Sequence, residues 1–285
     1  MYQTTIDSFV KSAQAKLGHA NSSPAGFLVA SMLAGAYVGF GILLIFVLGS
    51  SVPPEWRKLV MGLSFGIALT LVVIAGAELF TGHTMFMALR RYSGQGSYAD
   101  IGKTWTITWI GNLAGSVLLA ALFALGGGSG ILDKPDGFLM QVAAAKMSAP
   151  WFVLLARAIL CNWLVCLALW MSARVQSESA KCIVIFWCLF AFISCGFEHS
   201  IANMTVLSIA LFGNHPETVS VAGFAYNMLW VTLGNIIGGA VFVAGSYFVA
   251  THGVKPHTPV ALAENTYDIG ARARLAAGSG ESVAR

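Results

Sequence analysis

The stretch GAELFTGHTMF at residues 76–86 carries one acid, Glu78, inside a long apolar segment, and GFEHSIANM at residues 196–204 carries one acid, Glu198, in the same way. A charged side chain inside a membrane-spanning helix is costly and marks a pathway or a functional site. Two such acids at matching places of a chain indicate a transporter or channel built from two related halves.

The composition indicates an integral membrane protein. Hydrophobic residues make up 57% of the 285 residues and charged residues only 10%, far from the usage of soluble domains. Six segments with almost no charge are each long enough to cross a membrane, which takes about 20 apolar residues. These segments are residues 25–49, 59–89, 105–126, 149–173, 182–213 and 219–250. The sequence therefore predicts an all-α integral membrane protein with six transmembrane helices.

A second motif supports an internal repeat. Gly-Asn-x-x-Gly follows the first acid at residues 111–115 and the second acid at residues 234–238. Each half contains three apolar segments, so the second half must enter the membrane from the opposite side. The repeat is therefore predicted to be inverted, three helices plus three. Such repeats place the transport site near the membrane midplane, at interrupted helices.

The charge distribution predicts the topology. Residues 1–23 are polar and lack the features of a cleaved signal peptide, and we predict a cytoplasmic N-terminal helix there. Six spans put both termini on one side, which also receives most of the 16 Lys and Arg residues. The positive-inside rule assigns that side to the cytoplasm. We predict a six-helix transport domain at 24–250 and a flexible cytoplasmic tail at 251–285, and no basic run of the kind that nucleic-acid binding needs.

The second and fifth apolar segments are predicted to be interrupted. As one helix, residues 59–89 would be roughly 46 Å long, against a hydrocarbon core of about 30 Å. Residues 182–213 are overlong in the same way. Gly76 and Gly82 flank the first acid and Gly196 precedes the second, so glycine is present where a helix would end. A tilted, unbroken helix is the alternative.

Two polar side chains beside the acids are candidates for contact with a solute. His199 follows Glu198, and an imidazole donates hydrogen bonds or carries a proton near neutral pH; a structural histidine bonded to a carbonyl fits the same position. Thr81 lies three residues after Glu78, where its hydroxyl can serve a solute or cap its own helix. His83 has no third ligand nearby, so we predict no metal site and no cofactor.

Four motifs, GAELFTGHTMF, CNWLVCLALWMS, FEHSIANM and GNIIGG, together resemble the formate/nitrite transporter family. They occur in the family's order between residues 24 and 250, and FEHSIANM within an apolar segment is highly specific. ELFTGHTMF and CNWLVCLA are most similar to the nitrite branch. The resemblance implies an aquaporin-like protomer with broken second and fifth helices, one pore in each protomer, and a homopentamer in the lipid bilayer of the bacterial inner membrane.

The resemblance also implies roles for individual residues. His199 corresponds to the central histidine and Thr81 to the loop threonine, while Glu198 and Asn203 support the break in the fifth helix. The constrictions are expected at Phe65, Leu69, Leu79, Phe80, Val165 and Phe192. The groups expected to polarise the central histidine and threonine are Lys146, Asn162 and Asn235. No role is assigned to His83.

The implied function is transport of a small monovalent anion of a weak acid, with nitrite first and formate or hydrosulfide as alternatives. Moving a bare anion into low dielectric costs on the order of 20 kcal/mol. The hypothesis is therefore that His199 gives the anion a proton or a charge-assisted hydrogen bond, which favours weak acids over chloride or nitrate. Protonation of His199 and anion binding would strengthen each other, and both would weaken as pH rises.

Without the family resemblance, the residues are compatible with two other classes of protein. A neutral-solute channel of the aquaporin or ammonia type would share the inverted repeat, but it gives no purpose to the basic residues Lys146 and Arg157, which would attract anions to an outer vestibule. An intramembrane protease would use Ser129 of the Gly-Gly-Ser-Gly run at residues 127–130. That serine has no evident histidine partner, so an enzyme is disfavoured.

Overall fold

In the computed structural model, which describes residues 2–252, every regular element is a helix. The all-α prediction is confirmed for this range. The predicted tail at residues 251–285 lies outside the described residues, apart from its first two positions. The first six α-helices are α1 (Gln3–Ser22), α2 (Pro24–Ser50), α3 (Pro54–Ser64), α4 (Ile67–Thr70), α5 (Phe80–Tyr92) and α6 (Tyr98–Leu125). The other six are α7 (Phe138–Ser148), α8 (Trp151–Ser172), α9 (Glu178–Ser194), α10 (Ser200–Phe212), α11 (Val221–Ile237) and α12 (Ser246–His252).

Five helical stretches of the described residues are long and apolar enough to cross a membrane, one fewer than the six segments predicted from sequence. They are Pro24–Ser50, Pro54–Gly76, Tyr98–Leu125, Trp151–Ser172 and Val221–Thr251. The segment that does not meet the length is 182–213, because it is divided between α9 with 17 residues and α10 with 13 residues. A 17-residue helix is about 26 Å long, shorter than the hydrocarbon core.

Two of the apolar segments contain a stretch of non-helical backbone. After α4, a π-helical turn ends at Gly76, whose φ is +83°, and the chain is extended at Ala77 before α5 begins. After α9, Gly196 has a φ of +71° and His199 is extended before α10 begins. Glycine adopts positive φ without the steric cost that a Cβ imposes. Each segment therefore leaves the helical conformation at a glycine close to its acid.

Glycines of the Gly-Asn-x-x-Gly motif bring helix pairs into backbone contact. A Cβ on Gly115 of α6 would overlap the carbonyl of Met32 on α2. A Cβ on Gly238, directly after α11, would overlap the carbonyl of Ile159 on α8. Small residues at such positions let apolar helices pack closely in a membrane. The two halves therefore use the same means to hold the helices that flank each interruption.

Helix α1 packs through one apolar face against helices of both halves of the chain. Ile6, Phe9 and Leu17 on that face are buried. The Phe9 ring stacks on the ring of Trp170 in α8, with the two centroids 5.6 Å apart, and meets the ring of Phe86 in α5 edge-on. This packing brings Lys16, near the carboxyl end of α1, into contact with Glu78 at the first interruption.

Candidate functional site

Asn112 holds the backbone of the first interruption. Its Oδ1 accepts a hydrogen bond from the amide of Phe80 at 2.9 Å, and its Nδ2 donates to the carbonyls of Ser31 and Glu78 at 2.7 and 2.9 Å. The amide of Glu78 donates to the carbonyl of Ala30. Non-helical backbone at membrane depth must be satisfied by protein or water, and here one buried side chain satisfies three backbone groups.

Asn235 does the same for the second interruption. Its Oδ1 accepts from the amide of Ser200 at 2.8 Å, and its Nδ2 donates to the carbonyls of Ala158 and Glu198 at 2.8 and 3.0 Å. The amide of Glu198 donates to the carbonyl of Arg157. The asparagines of the two sequence motifs therefore make equivalent hydrogen bonds to the non-helical backbone in the two halves.

The two interruptions meet where Thr81 and His199 face each other. His199 Nε2 lies 3.1 Å from Thr81 Oγ1, and both side chains are buried. His199 Nδ1 accepts a hydrogen bond from the amide of Ala202, so it caps α10. A ring nitrogen that accepts carries no proton. The imidazole is therefore the neutral Nε2–H form, and Nε2–H donates to the Thr81 hydroxyl, whose own proton is left to donate elsewhere.

Asn162 of α8 positions Thr81 through the backbone. Its Nδ2 donates to the Thr81 carbonyl at 3.2 Å, the Thr84 hydroxyl at 2.9 Å and the Asn235 carbonyl at 2.6 Å. The sequence-based expectation was that Asn162 and Asn235 polarise the threonine and histidine. In the structure both amides contact the backbone around Thr81 and His199, so they orient these side chains without touching the hydroxyl or the ring.

The acid of the second half is neutralised by an ion pair. Glu198 Oε2 accepts from Lys146 Nζ at 2.7 Å and from Asn203 Nδ2 at 2.6 Å. Asn203 also donates to Asn227 Oδ1, and Asn227 donates to the Lys146 carbonyl. The Glu198 side chain is only 4% exposed. A closed ring of charged and amide groups therefore lies one residue from His199, with Lys146 supplied by α7.

The acid of the first half has a related set of partners. Glu78 Oε2 lies 2.5 Å from Lys16 Nζ and 2.7 Å from His83 Nε2. Lys16 comes from α1, and its ammonium also lies over the ring of Phe86, 5.5 Å from the centroid. The His83 carbonyl accepts from the indole N–H of Trp105. The lysine of each half thus comes from a helix that precedes its half in the chain.

Two cavities share lining residues with a third, much smaller space that His199 borders. The first, which we call the Lys146 cavity, measures about 440 Å³ and is lined by Lys146, Arg157, Glu198 and His199 among others. The second, the Lys16 cavity, measures about 320 Å³ and is lined by Lys16, Glu78 and His83 among others. A lysine–glutamate ion pair therefore forms part of the lining of each cavity.

A narrow apolar gap of about 10 Å³ lies between the two cavities. His199 and Phe192 border both the gap and the Lys146 cavity, whereas Leu69 and Leu79 border both the gap and the Lys16 cavity. The full lining of the gap is Val38, Phe65, Ala68, Leu69, Leu79, Val165, Leu189, Phe192 and His199. Five of the six expected constriction residues therefore lie around this gap, and His199 is its polar member.

Phe80, the sixth expected constriction residue, does not border the gap. Its ring meets the Trp105 ring edge-on, with the centroids 6.3 Å apart. Leu79 is in the extended conformation, and successive side chains of an extended chain point to opposite sides. Because Leu79 points into the gap, Phe80 points away from it.

Four residues of this network were not among the expected site residues. The Gly-Asn-x-x-Gly repeat contains Asn112 and could have indicated it as a site residue. The spacing of five residues between Glu78 and His83 could have indicated His83. Lys16 gave no comparable signal, because its partner lies 62 residues further along the chain. Asn227 is bound to a residue 24 positions away and likewise belongs to no motif.

Comparison with known proteins agrees with this architecture. A family model described as "Formate/nitrite transporter" matches residues 3–249. The chain is similar to "Nitrite transporter NirC" of Escherichia coli (strain K12), at 50% identity over 92% of this chain and 96% of the relative. A solved structure named "FNT family ion channel" aligns with a TM-score of 0.85 at 48% identity, over 87% of this chain and 99% of that chain.

A second solved structure, "Pentameric formate channel with formate bound", aligns with a TM-score of 0.69 at 30% identity, over 82% of this chain and 99% of that chain. These matches extend over nearly all of the described helices. They show that the chain belongs to the formate/nitrite transporter family of membrane anion channels.

Proposed function

We propose that this chain transports small monovalent anions of weak acids, with nitrite as the primary substrate. The substrate assignment rests on the relative named as a nitrite transporter at 50% identity. The observation that carries the mechanism is the contact between Thr81 and His199 beside an apolar gap. His199 therefore borders the narrowest part of the path, and its ring is bonded to a buried hydroxyl from the other half.

The gap favours a neutral species. At about 10 Å³ it has no room for a hydration shell, because even one water molecule needs at least about 10 to 15 Å³. A bare anion would lose on the order of 20 kcal/mol of solvation by the idealised estimate, which two hydrogen-bond donors do not restore. An anion that receives a proton crosses as a neutral acid, and only anions of weak acids accept one near neutral pH.

His199 is the proposed source of a proton or of a strong hydrogen bond. In the described arrangement its Nε2–H donates, while Nδ1 is occupied by the Ala202 amide. A second proton on the ring requires that this bond be released, at a cost of about 1 kcal/mol. Protonation of His199 and anion binding support each other, and both weaken as pH rises.

The proposal also covers the number of membrane crossings, the topology and the oligomeric state. Six crossings form an aquaporin-like inverted repeat in which 182–213 crosses as two half-helices, α9 and α10. Residues 24–250 form the transport domain, with residues 1–23 and the tail in the cytoplasm of a bacterial inner membrane. The similarity to a structure named as a pentameric channel supports a homopentamer. Lys146 and Arg157 then lie at the outer vestibule, where positive charge concentrates anions.

Formate is the second candidate substrate, because the aligned structure at 30% identity is named as a formate channel with formate bound. Both anions have one charge and a weak conjugate acid, so the same gap and donors serve either. Competition between the two anions in one assay ranks them.

The test is uptake of nitrite and of formate into proteoliposomes that contain a pH-sensitive dye, for wild type and His199→Asn. We expect proton movement that accompanies the anion in wild type and disappears in the variant. Ser129→Ala is the control, since Ser129 lies in the turn after α6, and its uptake should match wild type. Uptake without proton movement in wild type would leave His199 as a hydrogen-bond donor only, and absence of uptake for both anions would refute the function.

A further inference from the structure

The two lysine–glutamate pairs differ in one position. In each half, one oxygen of the glutamate is bonded both to the lysine ammonium and to the side chain of the residue five positions after the glutamate. In the second half that side chain is Asn203, 2.6 Å from Glu198 Oε2. In the first half it is His83, 2.7 Å from Glu78 Oε2. An amide does not titrate, whereas an imidazole can gain a proton and become a cation.

His83 has an acceptor that its surroundings leave open. The side chain is 1% exposed, and Nδ1 has no hydrogen-bond partner among the described residues. A neutral imidazole donates from only one nitrogen. Nε2–H therefore donates to Glu78, and Nδ1 is the free acceptor.

The charged groups that act on His83 come from two elements. Glu78 lies in the interruption before α5, and Lys16 lies on α1. Asp100 at the start of α6 is bound to Arg90 at the end of α5. His19 is separated from His83 by the ring of Phe27, which meets both imidazoles edge-on. Helices α2, α10 and α11 contain no charged residue.

We propose that His83 is a positioning residue that makes the Lys16 cavity respond to the proton concentration on its own side of the membrane. With His83 neutral, Glu78 balances the charge of Lys16. With His83 protonated, Glu78 is shared between two cations, and the cavity carries one additional positive charge. That charge attracts the transported anion, so proton uptake by His83 and anion binding in this cavity are linked. The proposal rests on the proposed anion transport.

In the Lys146 cavity Asn203, which does not titrate, stands at the position of His83. The imidazole that borders this cavity, His199, also borders the gap, which anions entering from either face must cross. The two faces of the protein should therefore differ in how anion entry depends on pH. Any effect of pH on the anion itself is common to both faces. The ratio of the two entry rates consequently isolates the response of His83.

The experiment measures initial nitrite entry into inside-out and right-side-out membrane vesicles between pH 5.5 and 8. The face that exposes α1 is identified by protease digestion of the amino terminus. In wild type we expect the ratio of entry rates, α1 face over opposite face, to rise about fivefold as pH falls, the order of effect of one added charge at a partly hydrated site. In His83→Asn, which copies Asn203, the ratio should not change with pH.

A second variant tests the proposal without changing His83 itself. Lys16→Gln removes the ammonium that opposes protonation of His83, so the pH midpoint of the ratio should move upward. A ratio that does not depend on pH in wild type, or that keeps its pH dependence in His83→Asn, refutes the role of His83 while leaving anion transport intact. An unchanged midpoint in Lys16→Gln refutes it as well. Absence of nitrite entry at both faces refutes the transport function itself.

Discussion

The two halves of the molecule share a backbone arrangement but differ in the side chains that it presents. Asn112 and Asn235 make matching sets of three hydrogen bonds, two to the interrupted segment and one to a carbonyl of a neighbouring helix. Leu79 and His199 occupy the same place in each half, as the residue that precedes α5 or α10. Both border the gap, yet one is apolar and the other donates a hydrogen bond.

This difference shows how a repeat can build an asymmetric site. Two residues after Leu79 the chain has Thr81, whereas two residues after His199 it has Ile201. The histidine of one half therefore pairs with the hydroxyl of the other half. A repeat with identical side chains would place two histidines or two leucines at the gap. Variants at the shared asparagines and glycines should affect both halves equally, whereas variants at the side chains that differ should not.

The largest expected effect concerns the shared scaffold. Asn235→Leu leaves the Ser200 amide and the Glu198 carbonyl unpaired in a buried site, which should lower stability by about 2 to 6 kcal/mol, since each unpaired group costs about 1 to 3 kcal/mol. Asn112→Leu should cost a similar amount if the halves are equivalent. The measurement is the yield and apparent Tm of detergent-solubilised protein.

Asn214→Leu is the control for these two variants. Asn214 is exposed and makes one side-chain hydrogen bond, to the Asp133 carbonyl, so its apparent Tm should stay close to wild type. A stable Asn112→Leu protein beside an unfolded Asn235→Leu protein would break the comparison, because the two interruptions would then depend on different bonds.

An intermediate effect is expected at the contact between the halves. Thr81→Val keeps the shape of the side chain and removes the hydroxyl that accepts from His199. Loss of one hydrogen bond of about 1.4 kcal/mol corresponds to a roughly tenfold slower nitrite uptake. The His199 N–H left unpaired should also lower stability by about 1 to 3 kcal/mol. Thr104→Val is the control, since that hydroxyl donates only to carbonyls of its own helix. Unchanged uptake in Thr81→Val would show that His199 acts without its partner.

The smallest expected effect is at the two glycines where helical conformation ends. Gly76→Ala and Gly196→Ala place a Cβ at φ values of +83° and +71° with open space around it, so only backbone strain of about 1 to 2 kcal/mol is expected. The apparent Tm should fall by a few degrees in both variants. Gly18→Ala in α1 also meets open space but has helical φ, and it should not lose stability. Unequal losses at Gly76 and Gly196 would show that one interruption bears more strain.

Local sequence predicted the all-helical fold and the glycines at which helical conformation ends, but it predicted six crossings where the described residues have five long apolar helices. Apolar runs determine membrane helices because their own backbone bonds are satisfied within the segment. The isolated acids and nearby glycines marked the interruptions for the same reason, since neither fits an ordinary apolar helix. The resemblance to the family singled out His199 and Thr81, which lie in contact, and five residues that border the gap; their roles in transport stay predictions.

Tertiary structure decided which groups meet. The pairs of Lys16 with Glu78 and of Lys146 with Glu198 join residues 62 and 52 positions apart, and no local pattern determines such a pairing. The direction of Phe80 away from the gap depended on the extended conformation of Leu79, which Asn112 holds from another helix. The sequence by itself thus determined helices, interruptions and family, because these follow from short-range chemistry. The packing of distant helices decided the pairing of His199 with Thr81 and the lysine partner of each acid.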